Sequence, residues 1–168
     1  MDPILKRLQN EIASAVHGAS ISELSRSSQQ KWNAVQILEH LYLSYAGTVK
    51  GLEKCLEARK PQGSVPNFKQ RFATFAVTGI GYFPTGRKSP KQAEPRGVPA
   101  EEVLAKIGPT ITAMDELFSR CENAHGAKAR ILDHPVLGPL TSQQWRKFHW
   151  IHGKHHLKQI HRLRDGMR

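Results

Sequence analysis

Five of the nine histidines fall in one stretch, Trp145-Arg-Lys-Phe-His-Trp-Ile-His-Gly-Lys-His-His-Leu-Lys-Gln-Ile-His161. Read as a helix, Trp145, His149, His152, His156, Ile160 and Leu163 follow steps of three and four residues and share one side. Three imidazoles therefore interrupt a stripe that otherwise faces a core. A buried neutral imidazole without a partner costs free energy, so the stripe calls for hydrogen-bond acceptors, water or a metal ion. A metal is the sharpest of these. His152 and His156 stand one turn apart, about 6 Å between β-carbons, and can share one ion.

Two ligands do not make a tight site, and in a helical bundle the third comes from a neighbouring helix. His40 is the candidate, in Gln36-Ile-Leu-Glu-His40-Leu-Tyr-Leu-Ser44, on a line with Gln36, Ser44, Gly47 and Gly51 that lets another helix approach closely. Around the three, His149, His155, Gln36 and Trp145 are candidates for supporting the ligands or lining a pocket, although His155 sits about 60° off the ligand direction. Glu39 adjoins His40 but points elsewhere on a helix, which predicts an exposed charge. His134 precedes Pro135 in a loop, where a turn role is the first expectation and pocket lining the second. His17 and His125 border glycines and read as helix-end residues, and His161 lies near a helix end. Trp32, Tyr42 and Trp150 read as core or rim aromatics. Cys55 lies about four turns beyond His40, too remote for the same ion, and Cys121 reads as a small buried residue.

The elements that must position these residues are helical. Asp2-Pro3 predicts a cap and first turn for a helix over residues 3–17, with Leu5, Leu8, Ile12 and Val16 at helical spacing. A Ser-rich connection over 20–28 leads to a long proline-free segment, 29–59, striped by Leu38, Leu41, Tyr45, Val49, Leu52 and Leu56. Asn67 predicts the cap of a third helix through Phe68, Phe72, Phe75 and Val77. Residues 84–99, with four prolines and no apolar period, predict a surface loop. A fourth helix opens at Pro99, with a kink expected at Gly108-Pro109. Residues 133–140 read as a loop, and Thr141-Ser-Gln-Gln144 resembles a capping box that starts the histidine helix. Period-2 alternation and hairpin dipeptides are missing, so no strands are expected. The expected fold is all-α, one domain spanning 1–168.

At 168 residues with 39% hydrophobic content, the chain can bury one respectable core. Two cysteines without a CxxC pair offer neither a disulfide framework nor a four-cysteine zinc site, and a cytoplasmic protein is expected. No stretch is long and apolar enough to anchor it in a membrane. The net charge of +11 favours acidic partners, yet the basic residues are scattered and form no nucleic-acid-binding motif. P-loop, GxGxxG and Ser-His-Asp patterns are absent.

Trp32 and Ile37-Leu-Glu-His40-Leu resemble the second-helix motif of the DinB/YfiT-like superfamily of small bacterial metal-binding proteins. His134-Pro-Val-Leu-Gly-Pro-Leu-Thr, Trp145 and His152-Gly-Lys-His-His156-Leu-Lys-Gln159 resemble its last-helix motif, and the two follow in the same order over most of the chain. The resemblance implies an antiparallel four-helix bundle with a long crossover loop and short extra helices, often a homodimer. It also implies His40, His152 and His156 as the three ligands of a divalent metal. Members of known activity include metal-dependent thiol transferases and related isomerases or hydrolases. His149 and His155 are additions to the simplest pattern, so which histidines bind and which support stays open.

Three neutral imidazoles leave an ion's charge uncompensated and its coordination sphere open, a chemistry suited to activating a water or thiol. The expectation is a divalent-metal-dependent enzyme acting on a small, acidic substrate, with zinc or nickel as the ion and a low-molecular-weight thiol as a candidate cofactor. The alternatives are a bundle that binds metal without turnover and a basic nucleic-acid-binding protein.

Overall fold

The computed structural model of the protein describes residues 1–26, 32–82 and 89–165. The chain is mostly helical. Four long helices dominate, α1 (Pro3–Val16), α3 (Ala34–Glu57), α5 (Ala100–His125) and α6 (Ser142–Asp165), with short α2 (Ile21–Leu24) and α4 (Phe68–Thr74) between them. Side chains close most of the helix starts. Asp2 accepts from the Ile4 amide, and Ser20/Glu23, Asn33/Gln36 and Asn67/Gln70 form reciprocal capping boxes. Thr141 and Gln144 do the same for α6. Each satisfies first-turn N–H groups that the helix itself cannot.

The long helices pack on one another, α3 against α5 and α1 against α6, with α3–α6, α1–α5 and α5–α6 contacts completing the set. Their apolar stripes merge in one core that includes Leu5 and Leu8 of α1, Leu38 and Tyr45 of α3, Ile111 and Phe118 of α5, and Leu157 and Ile160 of α6. Each such side chain contributes about 1.5–3 kcal/mol by leaving water. Gly153 lets α1 and α6 approach, since a β-carbon there would collide with Leu8 Cδ1. A buried charge cluster ties three helices together. Arg146, 4% exposed, donates to Asp115 at 2.8 Å, Glu122 at 2.7 Å and Ser119 Oγ at 3.1 Å. Asp115 also accepts the Asp2 backbone N–H at 2.7 Å.

Several expectations need correction. Residues 130–141 form an antiparallel hairpin, β1 (Arg130–His134) with β2 (Gly138–Thr141), where no strand was expected. Its strands are too short to show alternation, and its turn uses Gly138 at φ +74° rather than a hairpin dipeptide. The stretch read as a Ser-rich connection contains α2, started by Ser20; its residues 27 and 28 lie outside the described residues, as do 29–31 and 84–88. Helix α5 runs from Ala100 to His125 with Pro109, where the kink was expected, inside it. After α4 the chain widens into a π-helical turn, Phe75–Gly79, and Phe68, Phe72 and Phe75 are exposed while Val77 is buried. In the segment read as a loop over 84–99, the described residues 89–99 carry a 3-10 turn, Lys91–Ala93, packed on α3.

Candidate metal centre

Helix α3 brings His40, and α6 brings His152 and His156, to one point inside the protein. One ring nitrogen from each lies within 4.8 Å of the others, and all three side chains are buried. His40 Nε2 and His152 Nε2 are 3.0 Å apart. Two nitrogens on one tetrahedral zinc, each about 2.0–2.1 Å from the ion, sit about 3.3 Å apart, so the observed spacing needs only a small adjustment.

Hydrogen bonds on the outer nitrogens of His40 and His156 fix which of their lone pairs face inward. His40 Nδ1 lies 2.7 Å from the Ala93 carbonyl oxygen, an acceptor only, so the ring carries its proton on Nδ1 and offers Nε2 as a lone pair. His156 Nδ1 lies 2.8 Å from Gln159 Oε1, and the Gln159 amide N–H donates to His155 Nε2 at 3.2 Å. That chain of bonds orients the Gln159 amide and leaves Nε2 as the free nitrogen of His156. Lone pairs converging in a buried place repel one another unless a cation or proton lies among them, and outer partners of this kind orient metal-ligating imidazoles.

Electrostatics keep the rings neutral. Burial lowers the pKa of His40, and of His156 to about 4 with help from His40. Burial, followed by the charges of His156 and His40, holds His152 well below the ordinary histidine value. Neutral imidazole is the form that binds metal.

The remaining candidates take distinct places. His149 is buried, its Nε2 lies 3.1 Å from Thr48 Oγ1, and its ring stacks on Trp145 at 5.5 Å. Because Thr48 spends its hydroxyl proton on the Ser44 carbonyl, His149 donates from Nε2, and burial pushes its pKa down to about 3. His155 contacts the His156 ring at 5.2 Å and anchors Gln159. Trp145 Nε1 donates to the Leu132 carbonyl at 3.4 Å. Gln36 sits in the first turn of α3, where its side chain completes the cap with Asn33. Trp32 packs 5.2 Å from the His40 ring.

The three histidines open onto a cavity of about 1330 Å³. Its wall is apolar near Val77, Leu137, Trp145 and Phe148, and Lys50, Arg96 and Arg162 add cations, with Glu94 and Asp133 as the carboxylates. His134, His149 and His155 also line it. Among the described residues no helix is long and apolar enough to cross a membrane.

Sequence reasoning missed the support of His40. Glu39, expected to be exposed, is 1% exposed. Its carboxylate accepts backbone N–H groups of Arg96 at 2.6 Å, Gly97 at 3.2 Å and Val98 at 3.2 Å. This strap holds the segment whose Ala93 carbonyl orients His40. Helical periodicity places Glu39 off the ligand line but says nothing of a loop returning to cover that face. Gln159 was legible in principle, three residues after His156 and hence its neighbour on the helix.

Residues 9–162 match the family described as "Protein of unknown function (DUF1569)", and the chain belongs to that family. No curated protein matches the chain, and no solved structure matches it.

Proposed function

We propose that His40, His152 and His156 bind one divalent transition-metal ion, zinc or nickel, and that the chain is a metal-dependent enzyme acting on a small molecule through an activated thiol or water. The observation that carries this reading is the convergence of three buried imidazole nitrogens within 4.8 Å. The same reading takes the four long helices as one antiparallel bundle of the DinB/YfiT type, with the α3–α5 connection as its crossover.

An ion on three neutral imidazoles lowers the pKa of a bound water or thiol and polarises a carbonyl. The chain's own residues do the rest. Ala93 and Gln159 hold two ligand rings in register through their outer nitrogens. Trp145 and Phe148 keep one side of the cavity apolar, and Lys50, Arg96 and Arg162 favour entry of an acidic molecule.

Metal analysis of purified wild-type protein, His40→Ala and His152→Ala is the test. One ion per chain, lost in both variants, is expected; equal metal content in all three overturns the shared site. A screen of thiols against electrophilic substrates, run on metal-loaded protein, then separates turnover from mere binding.

A further inference from the structure

His134 ends β1, and the turn after it folds back onto its ring. The backbone N–H groups of Val136 and Leu137 both donate to Nδ1, each at 3.1 Å. An amide N–H cannot accept, so Nδ1 holds a lone pair and the neutral ring carries its proton on Nε2. The ring packs 4.4 Å from Phe148 and 5.5 Å from Trp145, and forms part of the wall of the cavity that His40, His152 and His156 share. With Nδ1 facing the turn, Nε2 leaves the ring on the other side. Among the described residues no protein acceptor takes its hydrogen.

The turn itself asks only for an acceptor. Asn or Asp would bond the same two amides, as they do in Asx turns. Imidazole adds what the turn does not use, a fixed donor on a cavity wall. Burial lowers the His134 pKa to about 4, so the ring stays in its single-donor form at neutral pH.

Resting on the metal reading above, we propose that His134 is a positioning residue of the same cavity: its Nε2–H donates to an oxygen at the far end of a small ligand whose other end lies on the ion. Phe148 sets the length of that ligand. Its ring stacks on His152 at 5.4 Å and meets His134 at 4.4 Å, so the two histidines flank one aromatic side chain. The ligand class is a short two-headed molecule, with a metal-binding head such as a thiolate, a few apolar carbons against Phe148, and a carboxylate or carbonyl tail.

The test uses full-length cobalt-loaded protein and a series of mercaptocarboxylic acids with two to five methylenes, each paired with the alkanethiol lacking the carboxylate. Binding is read from thiolate-to-cobalt absorption. At least one acid should bind about ten-fold more tightly than its matched thiol, the worth of a hydrogen bond to a charged group. His134→Asn keeps an acceptor for the turn and deletes the donor, so it should erase that advantage while leaving cobalt affinity unchanged. His134→Gln, which carries an amide N–H near the Nε2 position, should restore part of it. An acid advantage equal in wild type and His134→Asn overturns the proposal while the metal reading stands. Failure of wild type to bind cobalt overturns both. In the metal-free protein, nitrogen-15 correlation spectra should show the Nε2–H tautomer for His134; an Nδ1–H tautomer also overturns the proposal.

Discussion

Replacing Glu39 by Gln should loosen the proposed metal centre through a carboxylate whose hydrogen bonds go to residues 96–98 and not to the histidine rings. In the native strap, Oε1 accepts the N–H groups of Arg96 and Val98, and Oε2 accepts that of Gly97. The amide keeps one oxygen but turns an NH2 toward Gly97, so one charge-assisted bond becomes two facing donors. A hydrogen bond to a charged group contributes about 1.5–3 kcal/mol, and the two bonds left on a neutral oxygen drop to roughly half their strength. The total loss is about 3–6 kcal/mol, or about 6–24 °C in Tm for a chain of this size. The functional effect follows through Ala93, whose carbonyl fixes the His40 ring. Loss of an outer partner of a ligating histidine lowers metal affinity about 10–100-fold. Thermal melts of the metal-free protein and chelator competition on the loaded protein measure the two effects separately. A Glu39→Gln protein with native Tm and native affinity would show that the strap neither stabilises the fold nor orients His40.

Arg146→Ala should cost about 3–5 kcal/mol, read as a fall in the urea midpoint, because Asp115 is left buried without its partner. Gly153→Ala gains about 1 kcal/mol of helix propensity but forces a methyl into Leu8, so a net loss of up to about 2 kcal/mol is expected, and the double variant with Leu8→Ala should lose less stability than the two single variants added together. His149 and His134 stay neutral in the folded protein down to about pH 3 and about pH 4. The unfolded chain protonates them near 6.5, so it binds more protons than the folded protein as pH falls from about 6.5 toward 4. Metal-free protein should therefore lose stability across that window, by up to about 1.4 kcal/mol per pH unit for each histidine; equal urea midpoints at pH 7.5 and pH 5 would contradict the neutral assignment.

Helical spacing was enough to bring His40, His152 and His156 forward, because histidines one turn apart on one helix and a histidine on a small-residue face of another leave local signatures. The caps at Asp2, Asn67 and Thr141 were legible for the same reason: each depends on residues within three positions. What stayed hidden depends on distant segments meeting. Glu39 looks solvent-facing until residues 96–98 arrive over it, and the Ala93 carbonyl is backbone, which no side-chain pattern marks. The hairpin was hidden because β1 buries only Ile131 and β2 buries Gly138, Pro139 and Leu140 in succession, so neither strand alternates. His134 could be assigned to a turn from Pro135, but its second nitrogen gains meaning only where β1 borders the cavity.

The three histidines of the cluster are not held alike. Two ride on consecutive turns of α6, clamped to α1 at Gly153, whereas the third takes its bearing from a peptide strap fastened by a single carboxylate. With an ion bound as proposed, such an arrangement would work as a latch, in which ion exchange would follow the lifting of the strap rather than unfolding of the helices. Residence time and affinity then become separable properties, each open to adjustment from outside the coordination sphere.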